Sequence, residues 1–227
     1  MPANRRFVIG DIHGCIKSLD ALLYEELKIT KDDEIFFVGD FIDRGPANKA
    51  VLDRVMAMKS AGWKINAVLG NHEYMMKHSV NSPKDLELWQ KNGAASTFRD
   101  FNASTPHEIP QEYFDFIGSL PYYIELEDFI IAHAGLNCSR NNPFTDIFSM
   151  VWTRDEYVDP EKTGGRRVIA GHTPHSLDDI RRKLANLHIP IDGGCVYYGK
   201  LDGMGHLCAF EMNSEQLFYV RNSDFDI

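Results

Sequence analysis

With 227 residues, 44% hydrophobic and 25% charged, the chain is long enough for one globular domain, 1–227, with a substantial core. A formal net charge of -9 leaves no electrostatic footprint for polyanions, which excludes nucleic acid and anionic membrane as default partners. Cys15, Cys138, Cys195 and Cys208 stand at irregular spacing and read as reduced packing thiols; with no apolar run long enough for a signal peptide or membrane span, a soluble cytoplasmic protein is expected.

Residues 6–9 read as a buried strand that ends at Gly10-Asp11-Ile12-His13-Gly14. Ile16, Leu19, Leu23 and Leu27 then recur at helical spacing and predict a helix. A second apolar run, 35–38, ends at Gly39-Asp40-Phe41-Ile42-Asp43-Arg44-Gly45. Val51, Leu52, Val55, Met56 and Met58 mark the next helix, with Gly62 placed to stop it. Residues 65–69 form a third strand before Gly70-Asn71-His72-Glu73. The result is a βαβαβ start with polar groups just past the carboxyl end of each strand, where open α/β sheets place their sites. Residues 74–120 are polar and helix-rich, punctuated by Pro83, Pro106 and Pro110, and predict a small helical insertion rather than an independent domain. Strands return at 122–126 and 129–132 across a Glu127-Asp128 turn, and again near 168–170, 189–191, 207–211 and 217–220. Their close spacing predicts an antiparallel part of a sheet. Two further blocks, His133-Ala134-Gly135 and Gly171-His172-Thr173, lie in this half.

Any one block could be a turn or a helix cap. Five in one order bring Asp, Asn and His together at tight glycine turns, which is what a two-metal hydrolytic centre requires. Side chains at i and i+2 of an extended segment point the same way, so Asp11 and His13 can reach one ion. Asp40 can bridge two ions through its two oxygens, and Asn71, His133 and His172 offer neutral ligands for the second. Such a mixed oxygen and imidazole set suits manganese, iron or zinc, not a thiolate-seeking metal.

The series GDIHG, GDFIDRG, GNHE, HAG and GHT resembles the calcineurin-like metallophosphoesterase superfamily, and within it the bacterial and phage branch of serine/threonine phosphoprotein phosphatases. The resemblance runs over nearly the whole chain. It implies an α/β fold, two mixed β-sheets in a sandwich flanked by helices, here with the small helical insertion. It also implies two divalent metal ions, manganese first and iron or zinc as alternatives. Asp11, His13 and Asp40 would hold one ion; Asp40, Asn71, His133 and His172 would hold the other.

The remaining motif residues take roles on chemical grounds. Two divalent ions, only partly offset by Asp11 and Asp40, would hold a phosphate dianion and acidify a water between them for in-line attack on phosphorus, with no covalent enzyme intermediate. His72 is the expected proton donor to the leaving alkoxide, and Asp43 its orienting carboxylate. Arg44 would grip phosphate oxygens, and Arg154, after Val151-Trp152-Thr153, matches the family's second phosphate-binding arginine. His78, His107, His175, His188 and His206 read as surface or satisfied core histidines, with His175 close enough to His172 to support it. Tyr122, Tyr123, Tyr197 and Tyr198 read as core. Asp192-Gly193-Gly194-Cys195 matches a late loop of the family and reads as structural. The arginine that precedes GNHE in eukaryotic members is absent here, so their regulatory-subunit docking is not carried over.

The expected activity is that of a metal-dependent phosphomonoesterase, serine/threonine protein phosphatase-like, acting on a phosphoprotein or a phosphorylated small molecule. The alternative is a symmetrical dinucleoside tetraphosphate hydrolase. Those enzymes resemble the chain in the first, third and last blocks and at 193–201, but usually lack the Ile-Asp pair that precedes Arg44 here. A scaffold without turnover would be expected to lack a ligand or His72, and neither is missing. No expectation arises for the oligomeric state.

Overall fold

The computed structural model describes residues 4–225. Three short strands, β1 (Arg6–Ile9), β2 (Glu34–Phe37) and β3 (Lys64–Ala67), pair in parallel in the order β3-β2-β1, with Val8 opposite Phe36 and Phe36 opposite Asn66. The crossovers are helical. The first is α1 (Ile16–Asp20), which runs into a π-helical turn over Ala21–Glu26; the second is α2 (Asn48–Ser60). In the π turn, Leu27 N–H donates to the Leu22 carbonyl, and Leu19, Leu22, Leu23 and Leu27 are all buried together. Two later strands complete this sheet: β8 (His206–Glu211) pairs antiparallel with β1, and β9 (Gln216–Arg221) pairs antiparallel with β8.

The second sheet has the order β4-β5-β6-β7, from β4 (Tyr123–Glu125), β5 (Phe129–Ala132), β6 (Arg167–Ala170) and β7 (His188–Pro190). The antiparallel expectation holds for the hairpins β4/β5 and β8/β9, whereas β5, β6 and β7 run parallel. The segments between those parallel strands are long enough for crossovers. They carry α7 (Ile147–Trp152) and the short α8 (Pro160–Thr163), then α9 (Leu177–Lys183).

Alternation along the strands explains why they read as short, mostly apolar runs. Val8, Phe36 and Val38 pack into the seam against Phe129, Ile131, Ile169, Ile189 and Phe210, with the Phe129 and Phe210 rings 6.0 Å apart and edge-on. Phe7, Ile9, Ile35 and Phe37 face the other way, onto helices. The architecture is thus two mixed sheets stacked face to face and flanked by helices. The expected insertion is also helical, comprising α3 (Asn71–Ser79), α4 (Pro83–Lys91), α5 (Ala94–Asp100) and α6 (Gln111–Gly118). Its Met75, Met76, Trp89, Tyr113 and Ile117 are buried in the same core as Ile9 and Phe37, so it has no separate interior. The four cysteines are free and buried. Among the described residues no helix is long and apolar enough to cross a membrane.

Candidate metal centre

Every candidate ligand follows a strand end. Asp11 and His13 come after β1, Asp40 after β2, Asn71 after β3, His133 after β5 and His172 after β6. The loops that carry them are strained in one consistent way. Of the eight non-glycine residues with positive φ among the described residues, five are His13, Asp40, Asp43, Arg44 and His172. Side chains resist that left-handed region, so such clustering marks a site whose surroundings over-determine the backbone. It also corrects the expected alignment of Asp11 and His13. The strand stops at Ile9 and His13 has φ +48°, so the two are not side by side on an extended segment. Asp11 accepts the His172 N–H, while His13 turns towards Asp40. The glycines around them differ in purpose: Gly14 supplies φ +67°, whereas a Cβ on Gly10 would lie 2.2 Å from the Ile191 carbonyl oxygen.

Glu73 fixes the second loop, a role not evident from its place in the GNHE block. Its fully buried carboxylate accepts the N–H groups of Asp40 (2.8 Å), Phe41 (2.9 Å) and Ile42 (3.3 Å). Burial and the nearby Asp40 push it up to about 8 against the pull of those donors.

The donor atoms converge as two groups that share Asp40. His13, Asp40 and His72 form one, and Asp40, His133 and His172 the other, with ligand atoms in each group within 4.8 Å of one another. Asp40 Oδ2 is 3.4 Å from His13 Nε2, and Oδ1 is 3.5 Å from His133 Nε2, so the carboxylate faces both sides. Asn71 Oδ1 lies 2.8 Å from His133 Nε2 and 2.9 Å from His172 Nδ1. Asp11 is in neither group, and His72, read as a proton donor, stands in the first.

These side chains fit divalent cations. His13 Nδ1 and His133 Nδ1 each lie 2.8 Å from a backbone carbonyl, of Ile42 and of Val38. A carbonyl only accepts, so each Nδ1 carries the proton and each Nε2 presents a lone pair inward. In the amide orientation observed, the lone pairs of His133 Nε2 and Asn71 Oδ1 therefore meet 2.8 Å apart, an arrangement that a cation resolves, and His172 Nδ1 lies beside the same oxygen. Burial favours the neutral, ligating form of the imidazoles: it lowers His13 well below the ordinary range, lowers His133, and lowers His172 to about 3. Burial also pushes Asp11 well up, reinforced by Asp192 and Asp40. For Asp40 burial acts in the same sense, but the positive charge of His133, His72 and His13 when protonated, and of Arg44, outweighs it and holds the carboxyl low. Five buried carboxylates, of Asp11, Asp40, Asp43, Glu73 and Asp192, thus lie around these nitrogen and oxygen donors.

His72 and Asp43 are joined as expected, Nδ1 to Oδ2 at 2.6 Å, both fully buried. Asp43 has two further partners that sequence reasoning missed, Trp89 and Thr97. Arg44 donates to His13 Nε2 at 2.8 Å and sits over the ring of Tyr197, which is half-buried and packs against the same core as Ile9. Because that nitrogen has one lone pair, a cation there would displace the guanidinium. Arg154 is exposed, and its charge reaches His172 and Asp192. Asp192, read as structural, is a buried carboxylate two residues past β7, raised to about 7 by burial. The same strand-end position that marks the other motifs would have found it. His175 bonds Asp179 through Nδ1, has Nε2 near Glu156 without a hydrogen bond, and reaches the site through its backbone N–H on the Asp192 carbonyl.

His188 is neither exposed nor satisfied: it is buried, and both ring nitrogens lack partners. Burial lowers it to about 4 from an ordinary 6.5. An unfolded chain therefore takes up this proton at higher pH than the folded protein does. Its stabilising contribution is fully present above pH 6.5 and is lost as pH falls towards 4, by up to about 1.4 kcal/mol per pH unit. Urea unfolding at graded pH should show His188→Gln removing part of that acid sensitivity.

A family model for calcineurin-like phosphoesterases matches residues 5–209. The chain is 32% identical over 206 residues to serine/threonine-protein phosphatase 1 of Salmonella typhimurium, an alignment covering 86% of this chain and 88% of that protein. It is 25% identical over 218 residues to the asymmetrical bis(5'-nucleosyl)-tetraphosphatase PrpE of Oceanobacillus iheyensis, covering 86% and 85%. Its fold is like that of a protein serine/threonine phosphatase from Saccharomyces cerevisiae, with a TM-score of 0.68 at 15% identity over 100% of this chain and 82% of that one. With motif order, strand-end geometry and family match in agreement, the chain belongs to the calcineurin-like phosphoesterases.

Proposed function

We propose that this phosphoesterase is a metal-dependent phosphomonoesterase acting on phosphoserine and phosphothreonine in proteins. Asp11, His13 and Asp40 would hold one divalent cation, and Asp40, Asn71, His133 and His172 a second, manganese being the first candidate. Bound there, the cations supply electrophilic pull on phosphoryl oxygens and acidify a water for attack at phosphorus. Arg44 and Arg154 approach from different loops, and their planar forks suit the oxygens of a terminal phosphate. His72 delivers a proton from Nε2 to the departing oxygen while Asp43 holds Nδ1.

The observation that carries this reading is the buried Asp43–His72 pair with His72 Nε2 left unpartnered. An alkoxide leaving from serine or threonine is strongly basic and needs a proton as it departs. A nucleoside polyphosphate leaving from an anhydride is weakly basic and departs with little help. A fully built acid therefore favours the monoester.

A second reading, dinucleoside tetraphosphate hydrolysis, draws support from the likeness to the Oceanobacillus iheyensis protein. Competition decides between them. Manganese-loaded protein offered a phosphothreonine peptide and diadenosine tetraphosphate together should release mainly inorganic phosphate from the peptide, with a chelated sample inert. Predominant release of ADP, or of AMP with ATP, would replace the first reading with the second.

A further inference from the structure

The donors that close the far side of Asp43 come from neither its own loop nor the strand-end motifs. Trp89 lies on α4 and Thr97 on α5, and their bonds to the carboxylate span 46 and 54 residues of sequence. Asp43, His72, Trp89 and Thr97 are all 0% exposed. Thr97 Oγ1–H donates to Asp43 Oδ1 at 2.5 Å, and the same hydroxyl oxygen accepts the Asp43 N–H at 3.2 Å. Trp89 Nε1–H donates to Oδ2 at 2.7 Å, beside the His72 Nδ1–H at 2.6 Å. Within this quartet one polar side-chain atom remains without a partner. It is His72 Nε2, which lies 3.9 Å from Asp40 Oδ2. Gly93, between the two helices, also accepts the Arg44 N–H at 3.4 Å.

We infer that Trp89 and Thr97 are positioning residues for proton delivery, and that the helical segment carrying them is the back wall of the acid, not a lid. The inference rests on His72 acting as the proton donor. An indole N–H can only donate, and it does so from a ring wedged against Phe98 at 4.8 Å, so its direction is fixed. The Thr97 hydroxyl holds the second oxygen and the backbone of the same aspartate. The carboxylate therefore has one orientation in which all its donors are met, and that orientation sets the plane of the His72 ring. Removing either donor leaves a buried carboxylate oxygen under-bonded, free to turn and take His72 with it.

The test is a series of phosphate monoesters with leaving groups of graded basicity, from activated aryl to alkyl, turned over by manganese-loaded Trp89→Phe, Thr97→Val and Thr97→Ser. Proton delivery matters most for the most basic leaving group. Trp89→Phe and Thr97→Val should lower kcat on alkyl phosphates about tenfold to a hundredfold. The loss should shrink steadily towards the activated aryl esters, KM should barely move, and Thr97→Ser should recover most of the rate. A second readout needs no turnover: in metal-free protein the NMR resonance of the His72 Nδ1 proton should shift and exchange faster with water in both variants, and return in Thr97→Ser. His72→Asn, run alongside, separates the two ideas. If it shows no steepened dependence on the leaving group, the acid assignment fails and takes this inference with it. If it does, while Trp89→Phe and Thr97→Val slow all esters alike or none and leave the resonance in place, the inference is overturned and the acid stands.

Discussion

Asp40→Asn should strip bound divalent metal from about two ions per chain to fewer than one, and lower turnover at least about a thousandfold. Asp40 is the one member common to both donor groups, and its two oxygens face different imidazoles. The change is close to isosteric and its backbone cost is small. Asp40 sits at φ +51°, a region that asparagine tolerates better than most residues, and the new amide oxygen can still accept the His72 N–H. Metal content by mass spectrometry after dialysis, with rates on a phosphopeptide, checks it. Loss of a single ion would mean that Asp40 serves only one position.

His72→Asn should behave differently, slowing phosphopeptide turnover about 10²- to 10⁴-fold with metal content unchanged. The contrast matters because His72 Nε2 stands within the first donor group, 3.9 Å from Asp40 Oδ2, where a ligand could also stand. A ligand would be revealed by lost metal. A proton donor loses rate alone, most of all on alkyl esters.

Much of this arrangement could be read in the amino-acid order. The strands at 6–9, 35–38 and 65–69 are legible because seam and helices bury most of both their faces, leaving short apolar runs, broken in the third by Asn66, that end at glycine and a polar residue. The ligands share those strand ends, so one pattern marks both fold and site. Trp89 and Thr97 carry no such mark. An indole inside a helix reads as core, and only folding over more than forty residues brings it to Asp43. Glu73 faces backbone N–H groups up to 33 residues away in sequence. The left-handed backbone at His13 and Asp40 is invisible too, because neither residue requires it; surrounding contacts impose it.

The donors are divided between the two sheets: Asp11, His13, Asp40 and Asn71 follow strands of the first, His133 and His172 strands of the second. Asn71 and His172, both assigned to the second cation and following strands of different sheets, are 101 residues apart in sequence. A cation held across that division acts as a removable cross-link, closing a loop as long as those that give disulfides their largest entropic effect. Cation affinity and the docking of the two halves are therefore one coupled equilibrium. Filling the site resists separation of the sheets by mass action, and a seam substitution that touches no ligand, at Phe129 or Phe210, is felt as weakened cation binding. Such a chain would lose its metal first and its fold second.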